Sequence, residues 1–161
     1  SNPSETIARS LDGEQPYPSL HVKGIAIPVN KDGVDMACDA HKQCIFTVAI
    51  GLAASSKRIK IERRGRNIDA ITKAKAVHQG PESIESALCE AVLSIVSTNE
   101  GLVEYSDDAG DYYCNELYYR LLRQSRSTLF IHIPDENQLP IDESKRVIGE
   151  IIELLAAKLV C

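Results

Sequence analysis

Residues 102–133 change their hydrophobic period twice, and that change restricts the fold more than any other stretch. Leu102-Val103-Glu104-Tyr105 is a short apolar run of strand character, followed by a turn cluster, Ser106-Asp107-Asp108-Ala109-Gly110-Asp111. Leu117, Tyr118, Leu121 and Leu122 then recur at helical spacing. Leu129-Phe130-Ile131-His132-Ile133 returns to a strand, which Pro134 closes. A strand–turn–helix–strand unit belongs to an α/β fold and not to a helical bundle or an all-β sandwich. Asp111 is expected to cap the helix, which puts Cys114 in its first turn, where the helix dipole favours a thiolate. The two strand ends are expected to lie near each other at the carboxyl edge of a parallel sheet. Cys114 would then meet His132 there as nucleophile and base. Singly, neither residue says much. Cysteine is among the most buried residue types, and a histidine in an apolar strand is usually a core residue. Their placement as a pair is the functional signal.

The rest of the chain continues the alternation. Pro3 suits a first helical turn, capped by Asn2 or Ser1, with Ile7, Ala8 and Leu11 as its apolar face. Residues 12–19 are a loop, and Leu20 to Val29 alternates as a strand. Residues 31–43 are expected to be helical, with Val34, Ala37 and Cys38 on one side. Residues 44–50 form a continuous apolar run, the mark of a central parallel strand, ending at Gly51 where α/β folds place ligand loops. Ile59 and Ile61 alternate with charge, which predicts a half-exposed strand, and residues 68–80 a surface loop. A helix is expected to begin at Gly80-Pro81-Glu82-Ser83 and to bury Ile84, Leu88, Cys89, Val92, Leu93 and Val96. A last helix, with Asp142 as its cap, buries Val147, Ile148, Ile151, Ile152, Leu154 and Leu155. Together these predict a single domain over 1–161, a three-layer α/β/α sandwich with a mostly parallel central sheet.

Composition excludes several classes. The net charge of −5 gives no reason to expect nucleic acid or an anionic membrane as partner. No apolar run approaches transmembrane length. The five cysteines, Cys38, Cys44, Cys89, Cys114 and Cys161, are odd in number and lack CxxC spacing. That argues against a disulfide framework or a zinc site and for a reducing cytoplasm. Arg63, Arg64 and Arg66 form a basic cluster, expected to be a solvated edge balanced by acids elsewhere. Phosphate handling there lacks a Gly-rich loop to support it.

Three motifs in order carry a resemblance. They are Ser106 to Tyr119 with Ala109-Gly110 before Cys114; Phe130-Ile131-His132-Ile133-Pro134; and Gly51-Leu52-Ala53 followed by Ile59-Lys60-Ile61-Glu62-Arg63 and Asn67. The sequence resembles the pyroglutamyl peptidase I (pyrrolidone-carboxylate peptidase) family of cysteine exopeptidases over nearly its whole length. Asn2-Pro3-Ser4 and Gly80-Pro81-Glu82-Ser83-Ile84 look like further landmarks of that family. The resemblance implies Cys114 as nucleophile, His132 as general base and Glu62 as the residue that orients the histidine. By sequence distance alone, Asp107 and Asp108 compete for that third role. It further implies substrate contacts from Asn2, Leu52, Tyr112 and Tyr113, and hydrolysis of the bond after an N-terminal pyroglutamate through an acyl-enzyme. No cofactor is implied, and the expected state is a monomer or weak homo-oligomer. The alternative is an impaired relative that binds blocked peptides or a protein partner.

The chain also departs from the family pattern. Family members carry a strand and a Thr-Gly-Phe-x-Pro-Phe-Gly stretch before the Asn-Pro landmark, and here Ser1 directly precedes Asn2-Pro3. Without that strand, residues 44–50, 20–29, 102–105 and 128–133 are expected to flank a central gap. Each buried unpaired backbone group would cost about 1–3 kcal/mol, so these 161 residues alone are not expected to fold as a soluble monomer. Ala54-Ser55-Ser56 stands where the family has Gly-Gly-Arg, and Tyr112-Tyr113 where it has Phe-Val.

Overall fold

Strand β6 (Thr128–Ile133), buried along its whole length, lies inside a four-stranded sheet of order β1-β6-β2-β5. The structure is a computed structural model that describes residues 2–16 and 18–160. The alternative cap Ser1 and the cysteine Cys161 therefore lie outside the described residues. In chain order the elements are α1 (Pro3–Leu11), α2 (Lys31–His41), β1 (Thr47–Leu52), β2 (Ile59–Glu62), β3 (Arg64–Arg66) and β4 (Ser83–Glu85). A 3-10 turn (Glu90–Val92), α3 (Leu93–Thr98), β5 (Val103–Ser106), α4 (Tyr113–Gln124), β6 and α5 (Ile141–Val160) follow.

Strand periodicity sorts the core into two faces. Leu129, Ile131 and Ile133 of β6, with Ile59 and Ile61 of β2, point to one side. There they meet Ile7 and Leu11 of α1, Ile95 of α3, and Val147, Ile148, Ile151 and Leu155 of α5. Phe130 points to the other side and packs with Tyr118 and Leu122 of α4, against which α2 also lies. Helices therefore cover both faces of the sheet, giving a three-layer α/β/α arrangement. The pairings β1–β6 and β2–β5 are parallel, and the central pairing β2–β6 is antiparallel.

Five expectations are corrected. Residues 20–29 form no strand among the described elements. Val22 exchanges both backbone hydrogen bonds with the turn after α1, and the Gly24 N–H donates to Asp12, so local partners replace a ladder. The four strands pair without a central gap; β1, although apolar, is an edge strand, partnered only by β6 among the described residues. The helix expected from Gly80 begins only at the 3-10 turn. Ile84 belongs to β4, which pairs with β3, and Ser86 and Ala87 donate their N–H groups to Arg63 and Arg126. An i, i+4 apolar spacing fitted that segment, but tertiary hydrogen-bond partners decided it. Lastly, Ile59 and Ile61 are fully buried in an interior strand.

Candidate active site

The alternation that turns Phe130 toward α4 also turns His132 that way. Glu62 pairs with Phe130 across the β2–β6 ladder, and its carboxylate faces the same side. Its Oε1 lies 2.9 Å from His132 Nδ1, and both side chains are buried. Glu62 Oε2 is buried with no partner among the described residues. The His132 ring also packs on Phe130, with centroids 4.8 Å apart. Burial alone pushes the His132 pKa down. The adjoining Cys114 sulfur and the Glu62 carboxylate more than offset this and hold the pKa at about 9. The ring is thus set to carry a proton at neutral pH.

Cys114 reaches this pair by a route other than the expected one. Strands β5 and β6 run in opposite directions with β2 between them, so they share no carboxyl edge. Residues 107–112 instead carry the chain onto the sheet face, and α4 starts there. Tyr112, not Asp111, holds the N-cap position, without a side-chain cap, and Cys114 does lie in the first turn. Its sulfur rests against Gly51, which pairs with His132 in the β1–β6 register. A Cβ at position 51 would come within 2.9 Å of both Cys114 Sγ and Phe130 Cζ, so only glycine leaves the sulfur its place. Gly51→Ala is therefore expected to destabilise the protein by about 1–3 kcal/mol through overpacking. It should also slow alkylation of Cys114 by iodoacetamide about tenfold, by separating sulfur from imidazole. Peptide mapping after a timed reaction measures the rate, and a wild-type rate would show that the sulfur had room to spare.

The expected substrate contacts are less uniformly placed. Tyr112 is 66% exposed and Tyr113 half-buried, with ring centroids 6.1 Å apart and planes tilted 54°, so the two do not sandwich a flat ring face to face. Lys73 lies over the Tyr112 ring and Lys31 beside that of Tyr113. Leu52 ends β1, one residue beyond Gly51, and is half-buried. Asn2 caps α1, its side-chain oxygen accepting from the Ser4 N–H at 2.9 Å and the Ser4 hydroxyl at 2.7 Å. Asp107 and Asp108, the rivals of Glu62, point to the basic cluster instead. Asp107 pairs with Arg63 and Arg64, and Asp108 with Arg66. That leaves little free positive charge for a phosphate.

Sequence reasoning passed over two buried polar residues beside the cysteine, Asn115 and Glu116. Glu116 accepts from Lys31 of α2, from the Ala70 N–H at 2.8 Å and from Arg120 of its own helix at 2.9 Å, so it ties two other segments to α4. A signal for Asn115 was present, since positions 115, 118 and 122 share the apolar face of the helix. Among the described residues no cluster of three metal-ligating side chains occurs. A groove of about 250 Å³ between α1 and α5, lined by Leu11, Val22 and Ile152, lies on the opposite face of the sheet from Cys114.

No family model matches the chain. Comparison with curated proteins does find relatives. The pyrrolidone-carboxylate peptidase of Halalkalibacterium halodurans is 30% identical over 159 residues, covering 86% of this chain and 78% of that protein. This chain belongs to the pyrrolidone-carboxylate peptidase family. A second member, from Saccharolobus islandicus, is 28% identical over 151 residues, covering 83% of this chain and 72% of its own. Among solved structures, the pyrrolidone carboxyl peptidase of Thermococcus litoralis superposes with a TM-score of 0.87 at 22% identity, over 99% of this chain and 88% of that one. A variant of the Pyrococcus furiosus protein gives 0.87 at 21% identity, over 98% and 92%. This chain shares the fold of these two structures.

Proposed function

We propose that this chain is a pyroglutamyl peptidase that cleaves the bond after an N-terminal pyroglutamate with Cys114 as nucleophile, His132 as base and Glu62 as its orienting carboxylate. One observation carries the reading: in a member of this family, a buried His132–Glu62 hydrogen bond lies beside a free cysteine in the first turn of a helix. Glu62 engages Nδ1, which leaves Nε2 to face the sulfur. The Cys114 thiol gives its proton to the ring, and the thiolate attacks the carbonyl carbon of the pyroglutamyl residue. The tetrahedral oxyanion falls near the start of α4, whose first-turn N–H groups have no acceptor within the helix; the Cys114 N–H is the donor we assign to it. As the intermediate collapses, the C–N bond breaks and the imidazolium protonates the leaving amine. Water, deprotonated by His132, then cleaves the thioester and releases pyroglutamate and free enzyme.

The lactam is neutral, with one N–H and one C=O. We assign its apolar surroundings to Tyr113 and Leu52, with Tyr112 and Asn2 at the rim. An N-terminal glutamine or glutamate would bring an ammonium that such surroundings desolvate without a partner. The test compares hydrolysis of pyroglutamyl-aminomethylcoumarin with that of the glutaminyl analogue. Cleavage of the first alone is expected. Equal cleavage would overturn the lactam specificity, and tight binding without turnover would favour a role in binding blocked peptides. The free thiols at Cys38, Cys44, Cys89 and Cys114 fit a reducing compartment, and among the described residues no helix is long and apolar enough to cross a membrane.

A further inference from the structure

The residue after the nucleophile is a completely buried asparagine in the first turn of a helix, where asparagine is neither a strong helix former nor a core residue. Its amide makes two matched bonds to one residue of another element. Asn115 Oδ1 accepts from the Arg66 N–H at 2.9 Å, and Asn115 Nδ2 donates to the Arg66 carbonyl at 2.9 Å. The side chain thus acts as a strand neighbour to the free edge of β3, whose other edge pairs with β4. Arg66 also holds the approach to the cysteine. Its guanidinium donates to Asp108 at 2.8 Å and to the Gly110 carbonyl at 3.0 Å.

Strand β3 follows directly on β2, so Arg66 lies four residues beyond Glu62 on a short, hydrogen-bonded segment. Helix α4 is fixed to both ends of that segment. Tyr118 donates its hydroxyl to the Glu62 carbonyl at 2.7 Å, and Asn115 clasps Arg66. Between them α4 lies directly on the β3 backbone, since a Cβ at Gly65 would come within 2.7 Å of the Tyr119 nitrogen. Of these bonds, those of Asn115 are nearest in sequence to Cys114.

We propose that Asn115 is the positioning residue of the nucleophile: by clasping the Arg66 backbone, it fixes the first turn of α4 and so the Cys114 sulfur relative to His132 and Glu62. The proposal rests on the functional reading above. Its chemistry is geometric. Without the clasp the first turn, which has no side-chain cap, is free to shift, and a displacement of about 1 Å at a reacting atom is enough to cost about 10²-fold in rate.

The test uses Asn115→Ala, with Asn115→Asp as a second variant that keeps the acceptor and loses the donor to the Arg66 carbonyl. Tyr119→Phe serves as the control, since it removes one bond of the same helix, to the Pro81 carbonyl, farther from the sulfur. Each protein is read by thermal midpoint, by kcat and KM on pyroglutamyl-aminomethylcoumarin, and by the pH profile of Cys114 alkylation with iodoacetamide. In the Asn115 variants kcat should fall about 10²-fold with KM nearly constant, and alkylation near pH 7 should slow as sulfur and imidazole separate. Tyr119→Phe should lower the midpoint and leave kcat and the profile unchanged. If Asn115→Ala does not fold, Asn115→Asp decides by the same readings. A lowered midpoint with wild-type kcat and alkylation profile would overturn the proposal and leave Asn115 a structural residue. Should the wild type itself not turn over the substrate, the functional reading fails separately and the alkylation profiles alone decide the role of Asn115.

Discussion

Cys114→Ser is expected to lower hydrolysis of pyroglutamyl-aminomethylcoumarin by about 10⁴-fold or more, with little change in thermal midpoint. The substitution is nearly isosteric, and a hydroxyl can take the place of the thiol against Gly51 and still bond His132. What it removes is the thiolate, because an alcohol does not ionise beside imidazole at neutral pH. Among the described residues, the other cysteines are not placed to substitute. Burial pushes the Cys89 thiol up to about 11 and raises that of Cys38 as well. Cys44 is exposed, but its thiol donates to the Ala40 carbonyl and bonds no basic side chain among the described residues. Iodoacetamide should therefore label the peptide carrying Cys114 first in the wild type, and the serine variant should lose that fast phase. Retained turnover in Cys114→Ser, or a first label on Cys44, would remove Cys114 from the mechanism.

The chemistry was more legible in the sequence than the path that assembles it. Cys114 and His132 stood out because each broke the pattern of its own element: a thiol after a turn cluster, and an imidazole in an apolar strand. Glu62 did not stand out, since a carboxylate after Ile-Lys-Ile has the look of a surface strand end. Its burial depends on β2 lying between β6 and β5, a non-local pairing that local periodicity does not encode. The same limit explains residues 83–87, whose backbone partners are Arg63, Arg126 and β3. The apolar run 44–50 signals a strand with no solvated face, and β1 satisfies that through α1 on one side and the Cys114 region on the other while remaining an edge in the plane of the sheet. For Asn115 the helical spacing with Tyr118 and Leu122 signals burial, but its partner is a backbone, and backbone amides carry no sequence signature.

Glu62→Gln separates a carboxylate that tunes the histidine from one that only fills space. In the wild type, burial lowers the His132 pKa, while the Cys114 sulfur and Glu62 carboxylate raise it to about 9. Glutamine keeps the size and one hydrogen bond but removes a negative charge 2.9 Å from Nδ1. Its amide can also donate to Nδ1, which turns the ring to the tautomer that carries its proton toward the sulfur and cannot accept one. In serine triads the corresponding loss of carboxylate costs about 10⁴-fold, so a fall of about 10³-fold or more is expected here. The pH profile should change with it. The imidazolium that protonates the leaving amine disappears above its pKa, so the basic limb of kcat/KM should fall near pH 9 in the wild type and at lower pH in Glu62→Gln. Stability should follow by linkage. A folded-state pKa raised above the ordinary 6.5 contributes stability that is fully present below pH 6.5 and lost as pH rises through about 9. Melting curves between those limits should therefore slope downward in the wild type and be flatter in the variant. Unchanged basic limbs and parallel melting curves would show that Glu62 supports the fold of the site without setting the protonation of His132.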